Sequence, residues 1–210
     1  MAVKAGLDDN TKEMLLSKAI DLFYEKGYAG ASVREIVKAV RVSNSILYHY
    51  FKDKNELLFV IIERTGRELI KALKKIQDEI EDPVEALSKM ILTQVSIIKE
   101  RKKEAKIFLE EQYQLNEVYK KRILNQHREI YGIYKRQLDK LDKMGKLRNV
   151  NKTVANFGIN AMMNWSYRWY KENGPLSIEE VANAIKDIFF YGILKRDKKF
   201  DIDKNERSSL

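Results

Sequence analysis

Residues 32–51 read SVREIVKAVRVSNSILYHYF, from Ser32 to Phe51. Ser32 followed by Glu35 is a capping box, in which side chain and backbone satisfy each other's unpaired donors and open a helix. The apolar face of that helix is Val33, Ile36, Val37 and Val40. It is only about two turns long, because a turn follows at Val40–Val42 and Ser43 offers a second N-cap. Ile46, Leu47, Tyr50 and Phe51 then recur on one side of a second short helix. Two short helices meeting at a tight turn have the layout of a helix-turn-helix. The opposite face of the second helix carries Asn44, Ser45, Tyr48 and His49. Asn pairs with adenine, Ser donates or accepts, and Tyr and His reach phosphates or base edges, so this face suits a major groove. Lys52 and Lys54 follow where the phosphate backbone would run, and the helix start at Ser32 and Arg34 offers free N–H groups and a cation to another phosphate.

Outward from this stretch the pattern stays helical. Asn10 as cap, Glu13 at N3 and the repeat Leu16, Ala19, Ile20, Phe23 predict a helix over residues 10–26 that Gly27 stops. Asp53 and Glu56 form another capping box, opening a long helix bearing Leu57, Leu58, Ile61, Ile62, Leu69, Leu73 and Ile76. Asp82-Pro83 marks the next start, since Pro at the first helical position loses no needed donor. Further helices are expected near 84–99, 104–116 and 117–142. A largely buried one follows at 151–172, and a last one opens at the Ser177–Glu180 capping box with two apolar stripes. The expected organisation is all-α: a three-helix module over 1–54, a six-helix domain over 55–200, and a charged tail over 201–210.

Composition agrees. Two prolines and nine glycines in 210 residues leave few breaks, and 44% hydrophobic with 34% charged residues describes a globular chain. With no cysteine there is neither a disulfide framework nor a thiolate metal site. The opening residues lack an apolar core like that of a signal peptide, and no run is long enough to span a bilayer, so a cytoplasmic location without membrane association is expected. A net charge of +9 favours a polyanionic partner. Residues 1–56 hold nine basic and eight acidic side chains, and only the stretch from Lys38 to Lys54 is locally basic there.

The run from Ser32 to Leu58, with Leu47-Tyr48-His49-Tyr50-Phe51, Lys54 and Glu56-Leu57-Leu58, resembles the DNA-binding signature of the TetR repressor family. Ala19, Leu22, Phe23 and Gly27-Tyr28 are similar to that family's first helix. The resemblance implies a nine-helix fold, a homodimer joined through the last two helices, double-stranded operator DNA as partner, and a ligand cavity in the larger domain. Phe157, Ala161, Val181, Ile185 and Phe189 are the expected dimer contacts. Two departures stand out. Arg41 occupies the bend where the family usually has Gly, and Ile46 lacks the usual hydroxyl, so the family's contact there does not carry over.

Asn164-Trp165-Ser166-Tyr167-Arg168-Trp169-Tyr170, followed by Gly174-Pro175-Leu176-Ser177, is similar to the C-terminal segment of TetR-type repressors that respond to acyl-CoA thioesters. That similarity implies a small apolar or acyl-CoA-like effector, with Trp165, Arg168, Trp169, Arg101 and His127 as ligand-binding residues. Taken residue by residue, aromatics at helical spacing are more often core or interface than pocket, and the charge run from Lys99 to Lys106 is more often a solvated face. His127 has Ile130 and Tyr131 at i+3 and i+4, so no metal site is expected, nor any cofactor. Phosphate-loop, nucleophile-elbow and zinc-protease motifs are absent, which leaves no support for an enzyme. The reading is a ligand-responsive repressor. The alternatives are an all-α lipid or acyl-ligand binding protein in which the first helices only cover a cavity, and a helical enzyme acting on a bound thioester.

Overall fold

Caps divide the chain where the polar residues foretell. The computed structural model describes residues 9–195, so the tail at 201–210 and residues 1–8 lie outside the described residues. Nine α-helices occur among them: α1 (Asp9–Gly30), α2 (Val33–Val40), α3 (Asn44–Tyr50), α4 (Lys54–Glu79), α5 (Pro83–Glu100), α6 (Lys102–Glu110), α7 (Glu117–Lys143), α8 (Lys152–Trp169) and α9 (Ile178–Ile193). The one β feature among these residues is an isolated antiparallel bridge between Leu147 and Leu194. Both reciprocal capping boxes, Ser32 with Glu35 and Ser177 with Glu180, are formed. At α4 the box is modified: Asp53 accepts from the Glu56 N–H at 2.7 Å, while the Glu56 carboxylate turns back to the Lys52 N–H. The Asp82 carboxylate caps α5 by accepting from the N–H groups of Val84 and Glu85.

Three boundaries differ from expectation. Asn10 lies inside α1, which is already helical at Asp9. Gly27 breaks the helical geometry at φ 70°, yet the chain resumes helical turns to Gly30. The helix expected over 104–116 splits into α6 and a short 3-10 turn at Gln112–Gln114, because Asn116 stops it and caps α7 instead, accepting from the Tyr119 N–H at 3.0 Å.

Hydrophobic burial runs unbroken from α1 to α9. Leu15, Ala19 and Phe23 of α1 meet Ile36 of α2 and Leu47 of α3, and the same core continues through Leu58 and Ile62 of α4 to α5, α7 and α9. The 26 residues of α4 are therefore a rigid connection between the two ends of the molecule. At Gly66, α4 lies very close to α6 and α7. A Cβ there would stand 2.5 Å from Gln126 Oε1 and 3.0 Å from Phe108 Cε2, while Gln126 Nε2 donates to the Glu63 carbonyl at 2.9 Å. Gly66→Leu should destabilise the fold by about 1–3 kcal/mol through overpacking, outweighing the roughly 1 kcal/mol of helix propensity it gains. Urea unfolding measures this, and adding Gln126→Ala should recover most of the loss.

The turn between α2 and α3 uses a left-handed residue. Arg41 has φ 61° and ψ 41°, its N–H donates to the Lys38 carbonyl, and the Val42 N–H donates to the Val37 carbonyl at 3.0 Å. A side chain in that region costs about 1 kcal/mol, which Gly avoids. Arg41→Gly should thus raise the thermal midpoint by about 2–4 °C, and a lower midpoint would reject the argument.

Candidate nucleic-acid interface and effector cavity

Leu47 and Phe51, at 0% and 1% exposure, pin α3 to the core, and Ile46 and Tyr50 are half-buried beside them. That leaves Asn44, Ser45, Tyr48 and His49 outward, with Tyr48 53% exposed. Ser43 holds the N-cap position but does not cap with its side chain; its hydroxyl pairs with that of Ser45 at 2.7 Å. Arg34, Lys38, Arg41 and Lys52 are exposed around this rod. Lys38 and Arg41 were legible only as local basicity, because nothing in their spacing distinguishes a phosphate contact from a solvated cation.

Two residues expected at the interface are engaged internally. Lys54 Nζ donates to the Tyr28 carbonyl at 2.5 Å and sits 4.1 Å above the Tyr28 ring. Burial there pulls its pKa down, so it ties α4 to the end of α1 rather than standing free for phosphate. The Ser32 hydroxyl and N–H are both held by Glu35, whose own carboxyl is drawn down to about 2, chiefly by Lys26 at 2.6 Å and then by Ser32. This box therefore persists above the ordinary carboxylate range and is lost only as pH falls toward 2.

The five residues expected to bind ligand do not converge. Trp165 and Trp169 lie on the outer face of α8, 57% and 47% exposed. Arg168 pairs with Glu110 of α6 at 2.5 Å, its guanidinium 4.8 Å from the Trp165 ring, and the Tyr167 hydroxyl donates to the same carboxylate. Arg101 pairs with Glu68 and lines a cleft of about 400 Å³ between α1, α4 and α6. His127 is half-buried between α6 and α7, its Nε2 2.8 Å from Gln112 Oε1 and its ring 4.9 Å from Phe108, and burial pushes its pKa down. A cavity of about 90 Å³ lies elsewhere, between the ends of α5 and α8 and the start of α9, lined by Ile98, Lys99, Lys102, Ser166, Tyr170 and Ile178. Sequence reasoning missed it, along with the buried Gln94 and Gln137. The available signal was a glutamine at a core position of an apolar helical stripe.

The expected dimer contacts also separate. Val181, Ile185 and Phe189 are 2–6% exposed and packed in the chain's own core, so they have almost no surface to offer a partner. Phe157 (54%) and Ala161 are exposed. The helix expected to be largely buried is instead two-sided: α8 buries Asn156, Ile159, Asn160, Met163 and Ser166, and exposes Val154, Phe157 and Trp165. Apolar content alone does not reveal which side of such a helix faces inward.

Between the two ends of the molecule, α6 is joined to α1. Lys103 meets Asp21 at 2.6 Å, a hydrogen bond that is the main cause of the lowered Asp21 pKa, and Lys106 donates to the Tyr24 carbonyl at 3.0 Å. No described helix is long and apolar enough to cross a membrane.

Comparison with known proteins follows the same division. Residues 15–61 match the family model of bacterial regulatory proteins of the tetR family, and residues 81–193, more than half of the chain, match that of the tetracyclin repressor-like C-terminal domain. The HTH-type transcriptional repressor KstR2 of Mycolicibacterium smegmatis is 24% identical over 184 residues, covering 87% of this chain and 90% of that protein. Among solved structures, the TetR family transcriptional regulator PfmR from Thermus thermophilus superposes with a TM-score of 0.79 at 29% identity, over 87% of this chain and 99% of that one. AibR in complex with isovaleryl coenzyme A and operator DNA superposes with a TM-score of 0.79 at 27% identity, over 85% and 97%. With an exposed helix-turn-helix at one end, a helical body at the other and both halves matched, the chain belongs to the tetR family of bacterial regulatory proteins.

Proposed function

We propose that this protein is a homodimeric transcriptional repressor that reads a palindromic operator through α3 and is released from it by an acyl-CoA-like effector. The observation that carries the DNA reading is the exposed α3 rod, clamped from behind by Leu47 and Phe51, with Asn44, Tyr48 and His49 outward. A two-fold dimer would set two such rods about 34 Å apart, one per half-site. The dimer reading is supported by the exposed apolar faces of α8 and α9, where Val154, Phe157, Trp165, Ile188 and Tyr191 are 54–68% exposed. Trp165 fits this face better than a pocket.

The effector reading is supported by the cavity beside Lys99 and Lys102, whose cations would suit phosphates on leaving Glu172 (3.4 Å) and the Tyr170 carbonyl (3.3 Å), and by the solved complex of AibR with isovaleryl coenzyme A. The cavity wall includes Tyr167, which holds Glu110 of α6, and α6 is tied to α1 by Lys103 and Lys106. A ligand that displaces Tyr167 would loosen α6 and change the separation of the two α3 rods. Its effect on DNA affinity can be only as large as its preference for the altered state.

Fluorescence anisotropy with DNA flanking the gene tests the repressor reading. Tyr48→Ala and His49→Ala should each weaken binding by about 1–3 kcal/mol, and affinity should fall steeply with salt. Salt-independent ligand uptake without DNA binding would favour a lipid-binding protein, and unchanged affinity in both variants would remove α3 as the reading element.

A further inference from the structure

Gln137 of α7 is fully buried, and neither its Oε1 nor its Nε2 has a hydrogen-bond partner. A buried amide with both ends unmade is costly, and groups of this kind are retained where something else completes them. Polar groups begin one turn away on the same helix. Tyr134, one turn earlier on the same helix face and also fully buried, donates through its hydroxyl to Gln94 Oε1 at 3.0 Å, and Gln94 Nε2 donates to Asn164 Oδ1 at 3.0 Å.

Part of this cluster stands on α5 and α8, two of the helices that wall the cavity. Ile98 and Ser166 line the cavity, and one turn along the same two helices come Gln94 and Met163, both of which the Tyr134 hydroxyl touches. A turn rises about 5 Å, so Gln94 and Met163 stand about one turn from the cavity wall, and Gln137 is one turn along α7 from Tyr134. The groups of the cluster are amides, a phenol and a thioether, with no formal charge, whereas Lys99, Lys102 and Glu172 line the cavity itself.

We propose that the Gln94, Tyr134 and Gln137 side chains form the inner end of the effector pocket and select an acyl group carrying an uncharged oxygen, a hydroxyl or ketone, over a plain hydrocarbon chain. Gln137 has an acceptor and donors to satisfy, and a hydroxyl serves both, while a methylene would leave them unmade. The inference rests on the acyl-thioester reading of the effector given above.

Calorimetry on the full chain, with hexanoyl-CoA, 3-hydroxyhexanoyl-CoA and 5-hydroxyhexanoyl-CoA as probes, tests it. At least one hydroxylated probe should bind about tenfold or more tighter than hexanoyl-CoA, since a site built to hydrogen-bond rejects the analogue that lacks the group. In Gln137→Leu, and in Gln137→Met as a less disruptive replacement, that margin should shrink to about twofold or less while hexanoyl-CoA binds at least as well as before. Equal binding of all three by the native protein, or an undiminished margin in both variants, would overturn the selection while leaving the thioester reading intact. Binding of none would overturn both. Operator binding measured on the same sample without probe separates these outcomes from failure of the repressor reading, because the hydroxyl preference does not require DNA.

Discussion

Phe157→Glu combined with Ile188→Glu should convert the protein to a monomer and lower its affinity for a palindromic operator by about two to four orders of magnitude. Phe157 and Ile188 are 54% and 63% exposed, so neither belongs to the chain's own core and the monomer should still fold. In a two-fold interface each residue lies in the same patch as its symmetry copy, so a carboxylate at either position is both desolvated and opposed by its twin. Gly158 and Gly192 have nothing within 4 Å of where a Cβ would be, which leaves room for a partner's helices on the same face. Without the pairing, the second half-site contact is no longer intramolecular, and its effective concentration is lost. Sedimentation and anisotropy read the two effects, with a single half-site as control, for which affinity should not change. A variant that stays dimeric, or a monomer that binds the palindrome as tightly as the native protein, would place the interface or the operator symmetry elsewhere.

The sequence made the helix-turn-helix legible because its signals are local. A capping box, an apolar stripe and a bend each depend on residues within a few positions, and Ser32, Glu35, Leu47 and Phe51 do what their spacing implies. The left-handed bend at Arg41 was legible too, as the consequence of filling a position where Gly is usual. Features that depend on which helices meet were not. Lys54 looked like a phosphate contact because it follows α3, but its ammonium group is held by Tyr28, 26 residues earlier. Val181, Ile185 and Phe189 looked like an interface because α9 carries two apolar stripes, and periodicity cannot say which stripe meets α5 and which meets solvent. The ligand end was least legible, since Arg101, His127 and Trp165 share a chemical character but sit on helices whose neighbours only the folded chain determines.

Tyr134→Ala should cost about 3–5 kcal/mol, a large part of the stability expected for a domain of this size. The side chain is fully buried, so truncation removes the ring from the core and leaves a cavity that α5, α7 and α8 must collapse to fill. It also strips Gln94 Oε1 of its donor at 3.0 Å. Tyr134→Phe separates the two losses, because it keeps the ring and removes only the hydroxyl; about 1–2 kcal/mol is expected from the unpaired amide alone. Denaturant unfolding should therefore rank native above Phe above Ala, with the larger step between Phe and Ala. Burial also raises the Tyr134 pKa above its ordinary value of 10.0. The sign follows: the folded state holds the phenol proton more tightly than the unfolded chain, so this contribution is whole below pH 10 and is lost progressively above it. Native protein should lose stability on that limb faster than Tyr134→Phe, which has no proton there to release. If Ala cost no more than Phe, the ring would not be a packed part of the core. Parallel alkaline limbs in native and Phe proteins would show that the hydroxyl is not shielded from water.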